Sequence, residues 1–339
     1  MQLEVPVKEF LSKEIEDYLL EVDRHLRPYM LKAVKRIPKV SPLHDGVAFQ
    51  IGTGGKRVRA ALSVTACAMF CGSMMRAMNF ATSIEHLQNF MLDHDDIADG
   101  DEERRAREAI WKKYGIAHGI NIGDAFITLG AYSILESPYP PKLKLKLIEL
   151  ICEFGIEIAE GQSLDINLKA NDAPTHDEYV ECTKKKTGAF LAMATVGGAL
   201  IGGAHKRHLQ ALREFAIAAG VAFQLKDDII DYTGAKGRTR GSDIREGKRT
   251  LLVIHAAQNC TRREREKLFQ ILNRHRNATT DNDILWVFDL FDRSDAVDYA
   301  EDVARTMIEE SIESLAMIPG SEAKDMLFKI SSFISQRTR

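Results

Sequence analysis

The chain has 339 residues, 45% of them hydrophobic and 28% charged, with a formal net charge of −3. That is enough for a sizeable core in one large domain or two ordinary ones. With 46 basic residues against 49 acidic ones and no basic tail, the composition argues against a nucleic-acid partner. Five cysteines, Cys67, Cys71, Cys152, Cys182 and Cys260, are scattered and odd in number, which reads as reduced thiols in a cytoplasmic protein. No His or Cys cluster completes a zinc site around Cys67 and Cys71.

The N-terminal stretch MQLEVPVKEFLSKEIEDYLL is amphipathic and mixed in charge, without the apolar centre of a signal peptide. No proline occurs between Pro42 and Pro138, or between Pro174 and Pro319. Both intervals space their apolar residues at helical period, so roughly a dozen helices, no sheet and a single domain over 1–339 are expected. The loop His44–Lys56 closes on Gly54, Gly55, Lys56 and Arg57. Glycines permit a sharp turn, and adjacent cations at a helix start can hold an anion. A helix over Ile84–Asp99 follows, carrying Gln88, Phe90 and Met91 ahead of Asp95. Ala106–Gly115 leads to an apolar helix from about His118 to Leu135. Proline at a first turn starts a helix at Pro141–Ile156, and Glu160, Gly161, Gln162 and Asp165 end the next. Thr175 with Glu178 forms a capping box for the helix that brings Lys186 and Thr187. Thr187–Ala204 is uncharged and long enough to raise the question of a membrane span; its Gly and Ala content reads as a buried central helix. A helix from about Leu209 to Tyr232 brings Gln224, Asp227 and Asp231. The Gly-rich, charged loop Thr233–Gly247 leads to Lys248.

The stretch Met91–Arg105, MLDHDDIADGDEERR, is the most unusual in the chain. Asp95 and Asp99 are one turn apart on one helix face, Asp96 sits beside them, and Arg104 and Arg105 close the run. Like charges at this spacing destabilise an isolated helix by roughly 0.2–0.5 kcal/mol per pair, so a fold that keeps them usually has a cation to place there. KDDIID at Lys226–Asp231 repeats the spacing in Asp227 and Asp231. Two acid faces with scattered Lys and Arg suit magnesium, which takes one or two protein carboxylates and fills its remaining positions with phosphate and water. A calcium loop over Asp93–Glu103 fails on spacing: counted from Asp95, Ile97 falls where an oxygen ligand belongs and Ala106 where Glu belongs.

Taken together these residues resemble the trans-isoprenyl diphosphate synthases. The family's first DDxxD motif with paired arginine is similar to Asp95–Asp99 with Arg104 and Arg105, and its second to Asp227–Asp231 after Phe223 and Gln224. Its GGKR element is similar to Gly54–Arg57, its Lys-Thr element to Lys186–Thr187, and its later lysine to Lys248. Gln88 stands where many members carry His, and Ala106 and Glu108 where Gly and a nearby Pro are frequent.

The resemblance implies an all-α, single-domain bundle around a deep apolar pocket, in a homodimer, with no transmembrane span. It implies head-to-tail condensation of isopentenyl diphosphate with an allylic diphosphate, aided by magnesium. By analogy Asp95, Asp99 and Asp227 are the main metal ligands, with Asp96 and Asp231 in support. Arg104, Lys186 and Lys248 hold the allylic diphosphate; Lys56, Arg57, Gln88 and Arg105 hold isopentenyl diphosphate. Thr187 and Gln224 face the developing cation. His94 and His118 have no catalytic role.

Phe90 and Met91 lie ~6–8 Å from Asp95 along the helix axis, where a bulky side chain would form a floor for the growing tail. In the resembling family, aromatics at both positions go with C15 products and one at the deeper position alone with C20. Geranylgeranyl diphosphate is therefore the expected product, with farnesyl and geranylfarnesyl diphosphate as alternatives. A class I terpene cyclase would need no second diphosphate site, and a non-catalytic synthase subunit could lose acids that this chain keeps.

Overall fold

Long proline-free intervals leave room for long helices, and the chain uses them. The computed structural model describes residues 5–105, 107–234 and 240–335. Among these are sixteen α-helices and one two-stranded ribbon, and the chain divides into two compact units.

The first unit comprises Met1–Cys152, Met193–Gln210 and Ile318–Ile330. It is built on α1 (Val5–Val34), α2 (Pro42–Gly52), α3 (Val58–Cys71), α4 (Met78–Asp99), the strands β1 (Glu103–Arg104) and β2 (Arg107–Glu108), α5 (Ile110–Tyr114) and α6 (Ile116–Leu135), with the start of α7 (Pro141–Lys169). Ser41 caps α2 by accepting the Leu43 N–H at 3.2 Å, ahead of Pro42 in the first turn. Gly100, at φ 70°, stops α4 in the left-handed region. Helices α4 and α6 pack side by side, and Val47, Ile110, Ile122 and Phe126 belong to an apolar cluster against which the partly buried Phe90 packs.

The second unit comprises Glu153–Ala192, Ala211–Met317 and Ser331–Arg339. It holds the rest of α7, then α8 (His176–Thr183), the start of α9 (Ala189–Gly202), most of α10 (Lys206–Thr233), α11 (Ser242–Arg245), α12 (Leu251–Gln258), α13 (Arg262–Leu272), α14 (Asp281–Arg293), α15 (Ala296–Ser314) and the last turn of α16 (Glu322–Ser335); the other parts of α9, α10 and α16 belong to the first unit. The Thr175–Glu178 capping box opens α8 as expected, and the same device opens α13 and α14. Leu225, Leu252, Phe269, Val287 and Phe291 belong to the core of this unit.

Four expectations are corrected. The loop expected at His44–Lys56 is helix α2 as far as Gly52, because Ser41 and Pro42 start a helix there, so only the segment from Thr53 to Lys56 turns. A ribbon exists: past Gly100 the chain turns back on itself, pairing Glu103 with Glu108 and Arg104 with Arg107. The helix expected at Pro141–Ile156 continues unbroken to Lys169, so Glu160 and Asp165 lie within it. The loop Thr233–Gly247 contains the one-turn α11. Ala106, where the sequence departs from the family pattern, and 235–239 lie outside the described residues. The apolar Thr187–Ala204 segment supplies α9, and among the described residues no helix is long and apolar enough to cross a membrane. Its backbone lies directly on α3: a Cβ at Gly198 would fall 1.9 Å from the Ser63 carbonyl oxygen.

His86 is fully buried on α4, its ring stacked 5.7 Å from Phe126, and among the described residues neither ring nitrogen has a hydrogen-bond partner. Burial, and behind it the charge of Arg57, pushes its pKa down to about 3. A base depressed in the folded state stays neutral there while the unfolded chain takes up a proton, so stability is lost as pH falls from the ordinary value near 6.5 toward 3. Denaturant melts at pH 7 and 5.5 should show wild type losing about 1 kcal/mol more than His86→Gln over that interval.

Candidate active site

Helical period divides the acids of α4 by face. Asp95 and Asp99 are half-buried, one turn apart, whereas Asp93 and Asp96 are each 1% exposed. Asp96 Oδ1 accepts from Arg104 Nε at 2.8 Å and also from Nη2, and Arg104 Nη2 reaches Asp101 Oδ2 at 3.2 Å. Burial pushes the Asp96 pKa up to about 6, with Arg104 opposing. The structure thus places Asp96 as the partner of Arg104, on a different face from Asp95 and Asp99. Asp93 escaped the sequence reading. Among the described residues neither of its carboxyl oxygens has a hydrogen-bond partner, and burial, then Asp96, pushes its pKa up to about 8.

The Gly54–Arg57 turn is shaped by backbone conformations that favour glycine: φ is 76° at Gly54 and 145° at Gly55. Arg105 comes from the ribbon onto this turn, donating to the Gly54 carbonyl and, at 3.3 Å, to Thr53 Oγ1. A Cβ at Gly55 would lie 2.8 Å from Arg105 Nη2. Arg57 points inward: its side chain is 3% exposed, and it donates to Asp23 and Glu85, each at 2.8 Å. Lys56 is exposed. Gln88 is buried, and among the described residues its Oε1 has no hydrogen-bond partner. Burial pulls the Arg105 guanidinium below its usual value; Glu85 opposes this, and Arg57 and Arg104 add to it. Guanidiniums within electrostatic reach of one another favour anions beside them, and Arg57 and Arg104 already hold carboxylates.

In the second unit Lys186 and Thr187 sit in a π-helical turn, Lys184–Gly188, between α8 and α9, a distortion frequent at functional sites. Glycines make room for it. A Cβ at Gly161 would lie 2.4 Å from the Lys186 nitrogen, and one at Gly220 would lie 2.5 Å from the Gly188 Cα. Lys186 Nζ donates to Asp165 at 2.7 Å. Thr187 Oγ1 donates to Gln224 Oε1 at 3.1 Å, and Gln224 Nε2 donates to Asp228 Oδ1 at 2.9 Å. Tyr179 donates to Asp228 Oδ2 at 2.7 Å. Tyr179 and Asp228 were missed at the sequence level, although Asp228 lies next to Asp227 in the second acid motif.

Asp227 and Asp231 are half-buried one turn apart on α10, while Asp228 is buried. Asp231 accepts the backbone N–H groups of Ser242 at 3.0 Å and Asp243 at 3.2 Å, at the start of α11. Burial, then Asp243, pushes its pKa up to about 7. Lys248 forms ion pairs with Asp243 at 2.9 Å and Glu246 at 2.7 Å. Asp231, Asp243 and Lys248 line a small recess beside Phe288 and Phe291.

Among the described residues no three His, Cys, Asp or Glu side chains converge on one metal position. Each acid face offers two carboxylates, an all-oxygen donor set that fits magnesium completed by phosphate and water rather than a closed protein cage.

The sequence profile of the polyprenyl synthetase family matches residues 42–289. The chain belongs to that family. It is 31% identical to a geranylgeranyl diphosphate synthase of Methanosarcina mazei over 89% of this chain and 91% of the relative. It is 30% identical to a short chain isoprenyl diphosphate synthase of Methanothermobacter thermautotrophicus over 94% and 99%. The geranylgeranyl pyrophosphate synthetase structure from Pyrococcus horikoshii matches with a TM-score of 0.86 at 29% identity, covering 96% of this chain and 99% of that one. A Caulobacter crescentus polyprenyl synthase complexed with calcium and isoprenyl diphosphate matches at 0.85 and 26% identity, covering 95% and 98%. The chain is accordingly a prenyltransferase with the all-helical fold of these synthases.

The glycine contacts around the π turn carry a test. Gly220→Ala should cost ~1–3 kcal/mol in denaturant unfolding, the usual range for overpacking, with a parallel fall in turnover. Gly155→Ala on α7, where an added Cβ meets nothing within 4 Å, should stabilise the fold by about 0.5–1 kcal/mol, the ordinary gain of alanine over glycine in a helix, and leave turnover unchanged.

Proposed function

We propose that this chain condenses isopentenyl diphosphate with an allylic diphosphate in the presence of magnesium and releases C20 geranylgeranyl diphosphate. Family membership supports the condensation, and Phe90 carries the product length. Its ring joins the apolar cluster of Val47, Ile122 and Phe126, ~7.5 Å before Asp95 along α4, and Met91 supplies no second aromatic. One catalytic domain is inferred for 1–339.

Asp95, Asp99 and Asp227, with Asp231 in support, would hold the magnesium that the diphosphate requires. When bound, magnesium supplies charge stabilisation for the departing diphosphate. Asp96 contributes by holding Arg104, which binds the allylic diphosphate together with Lys186 and Lys248. Lys56, Arg105 and Gln88 bind isopentenyl diphosphate, while Arg57, locked to Asp23 and Glu85, shapes the turn that presents Lys56. Donors fixed before the reaction act on charge as it develops at the leaving group. Thr187 and Gln224, joined to one another and to Asp228, turn oxygen atoms toward the allylic cation. Such a cation needs apolar, dry surroundings, because water would otherwise capture it. The alkene needs placement rather than activation.

All five cysteines are free thiols, which supports a cytoplasmic location. Ile116, Ile120, Ile127 and Leu135 are exposed along α6, which supports a homodimer.

Purified protein given isopentenyl diphosphate and C5, C10 or C15 allylic partners should yield C20 as the main product on chromatography. Phe90→Ala should lengthen it, and an unchanged profile would remove the floor. EDTA should abolish turnover and added magnesium restore it. Asp227→Asn should lower kcat by about 10²–10³-fold, the scale for one preorganised electrostatic contact. Hydrocarbon released from allylic substrate alone would point instead to a cyclase.

A further inference from the structure

His94 lies on α4 between the residue read above as the floor and the first of the paired acids, Asp95. Its ring meets the Phe90 ring edge-on, with centroids 4.6 Å apart and planes at 61°, the geometry in which a ring's positive edge faces a negative face. The two are four residues apart, so helical period sets them on one face. A neighbouring helix holds the far side of the imidazole. His94 Nε2 lies 3.4 Å from the Ile120 carbonyl oxygen and 3.4 Å from Asp124 Oδ1, both on α6. The space it occupies exists because residue 123 has no side chain: a Cβ there would lie 2.5 Å from His94 Cδ2 and 2.6 Å from Nε2. Phe90 thus packs both against the apolar cluster of Val47, Ile122 and Phe126 and against an imidazole that itself abuts α6.

We propose that His94, seated against Gly123, is a positioning residue that braces Phe90 and so sets the depth available to the growing prenyl chain. An unbraced Phe90 ring can swing to another rotamer when the tail presses on it, admitting one more C5 unit. His94 takes no part in bond breaking. The inference rests on the reading of Phe90 as the floor, and the experiment separates the two.

Product chain lengths are measured under identical conditions for wild type, Phe90→Ala, His94→Ala, His94→Phe, Gly123→Ala and the His94→Ala/Gly123→Ala pair. His94→Ala should raise the ratio of longer products to C20 roughly three- to tenfold, the span that loss of one ring–ring contact allows. His94→Phe, which keeps a ring edge, should stay near the wild-type distribution. Gly123→Ala should alter the distribution by displacing the imidazole, and should have no further effect once His94 is alanine. If Gly123→Ala alone does not fold, the pair relieves the clash and still gives that comparison. Longer products from Phe90→Ala with an unchanged profile in His94→Ala would overturn the brace and leave the floor standing. An unchanged profile in Phe90→Ala would overturn both.

Discussion

Arg57 follows the Gly54–Gly55 turn in a left-handed conformation, with its guanidinium inside the first unit between Asp23 of α1 and Glu85 of α4. A buried guanidinium without such partners would cost several kcal/mol, so three segments far apart in sequence must meet at one point. That meeting fixes the start of α3, the turn before it and the middle of α4. Arg105 then lies on the same turn and brings the ribbon with it. The cationic corner is therefore a product of charge satisfaction inside helical packing, and its geometry is set before any ligand arrives.

The two acid motifs solve a common problem in a common way. In each, the acids four residues apart lie on a half-buried face and the acid just after the first is buried. The buried acid is not idle. Asp96 accepts from Arg104, and Asp228 accepts from Gln224 and Tyr179. Both inner carboxylates thus orient a neighbour that the proposed chemistry requires, so that less reorganisation is left to the moment of bond breaking. A carboxylate accepting charge-assisted or paired hydrogen bonds is tolerated in the interior where an isolated one is expensive. Asp93 has no such partner among the described residues, and burial, with Asp96 beside it, pushes its pKa up to about 8.

The Lys-Thr element depends on close backbone approach instead of charge. An unbroken α-helix from His176 through Gly202 would place Lys186 and Thr187 differently around the axis. One wide turn rephases the helix, and α7 and α10 can seat against that turn because Gly161 and Gly220 present only backbone there. Both glycines lie within helix interiors, where glycine is unfavourable by roughly 1 kcal/mol against alanine. Close packing at the site is the compensation.

Much of the protein is determined by short-range chemistry and is legible in the chain itself. Apolar period and proline placement dictate helices; Thr175 with Glu178 dictates a helix start; spacing of four dictates which carboxylates share a face. These depend on residues a few positions apart, so sequence alone carries them. Which acid of each motif turns inward, which arginine is locked and which meets the turn, and where a helix widens are decided by partners such as Glu85, Tyr179 and Gly220. The reversal of the chain at Glu103–Glu108 belongs with them, because its two-residue strands are too short to leave an alternating pattern. Those outcomes turn on desolvation and on contacts across tens of residues, and only the packed chain supplies the neighbours that set them.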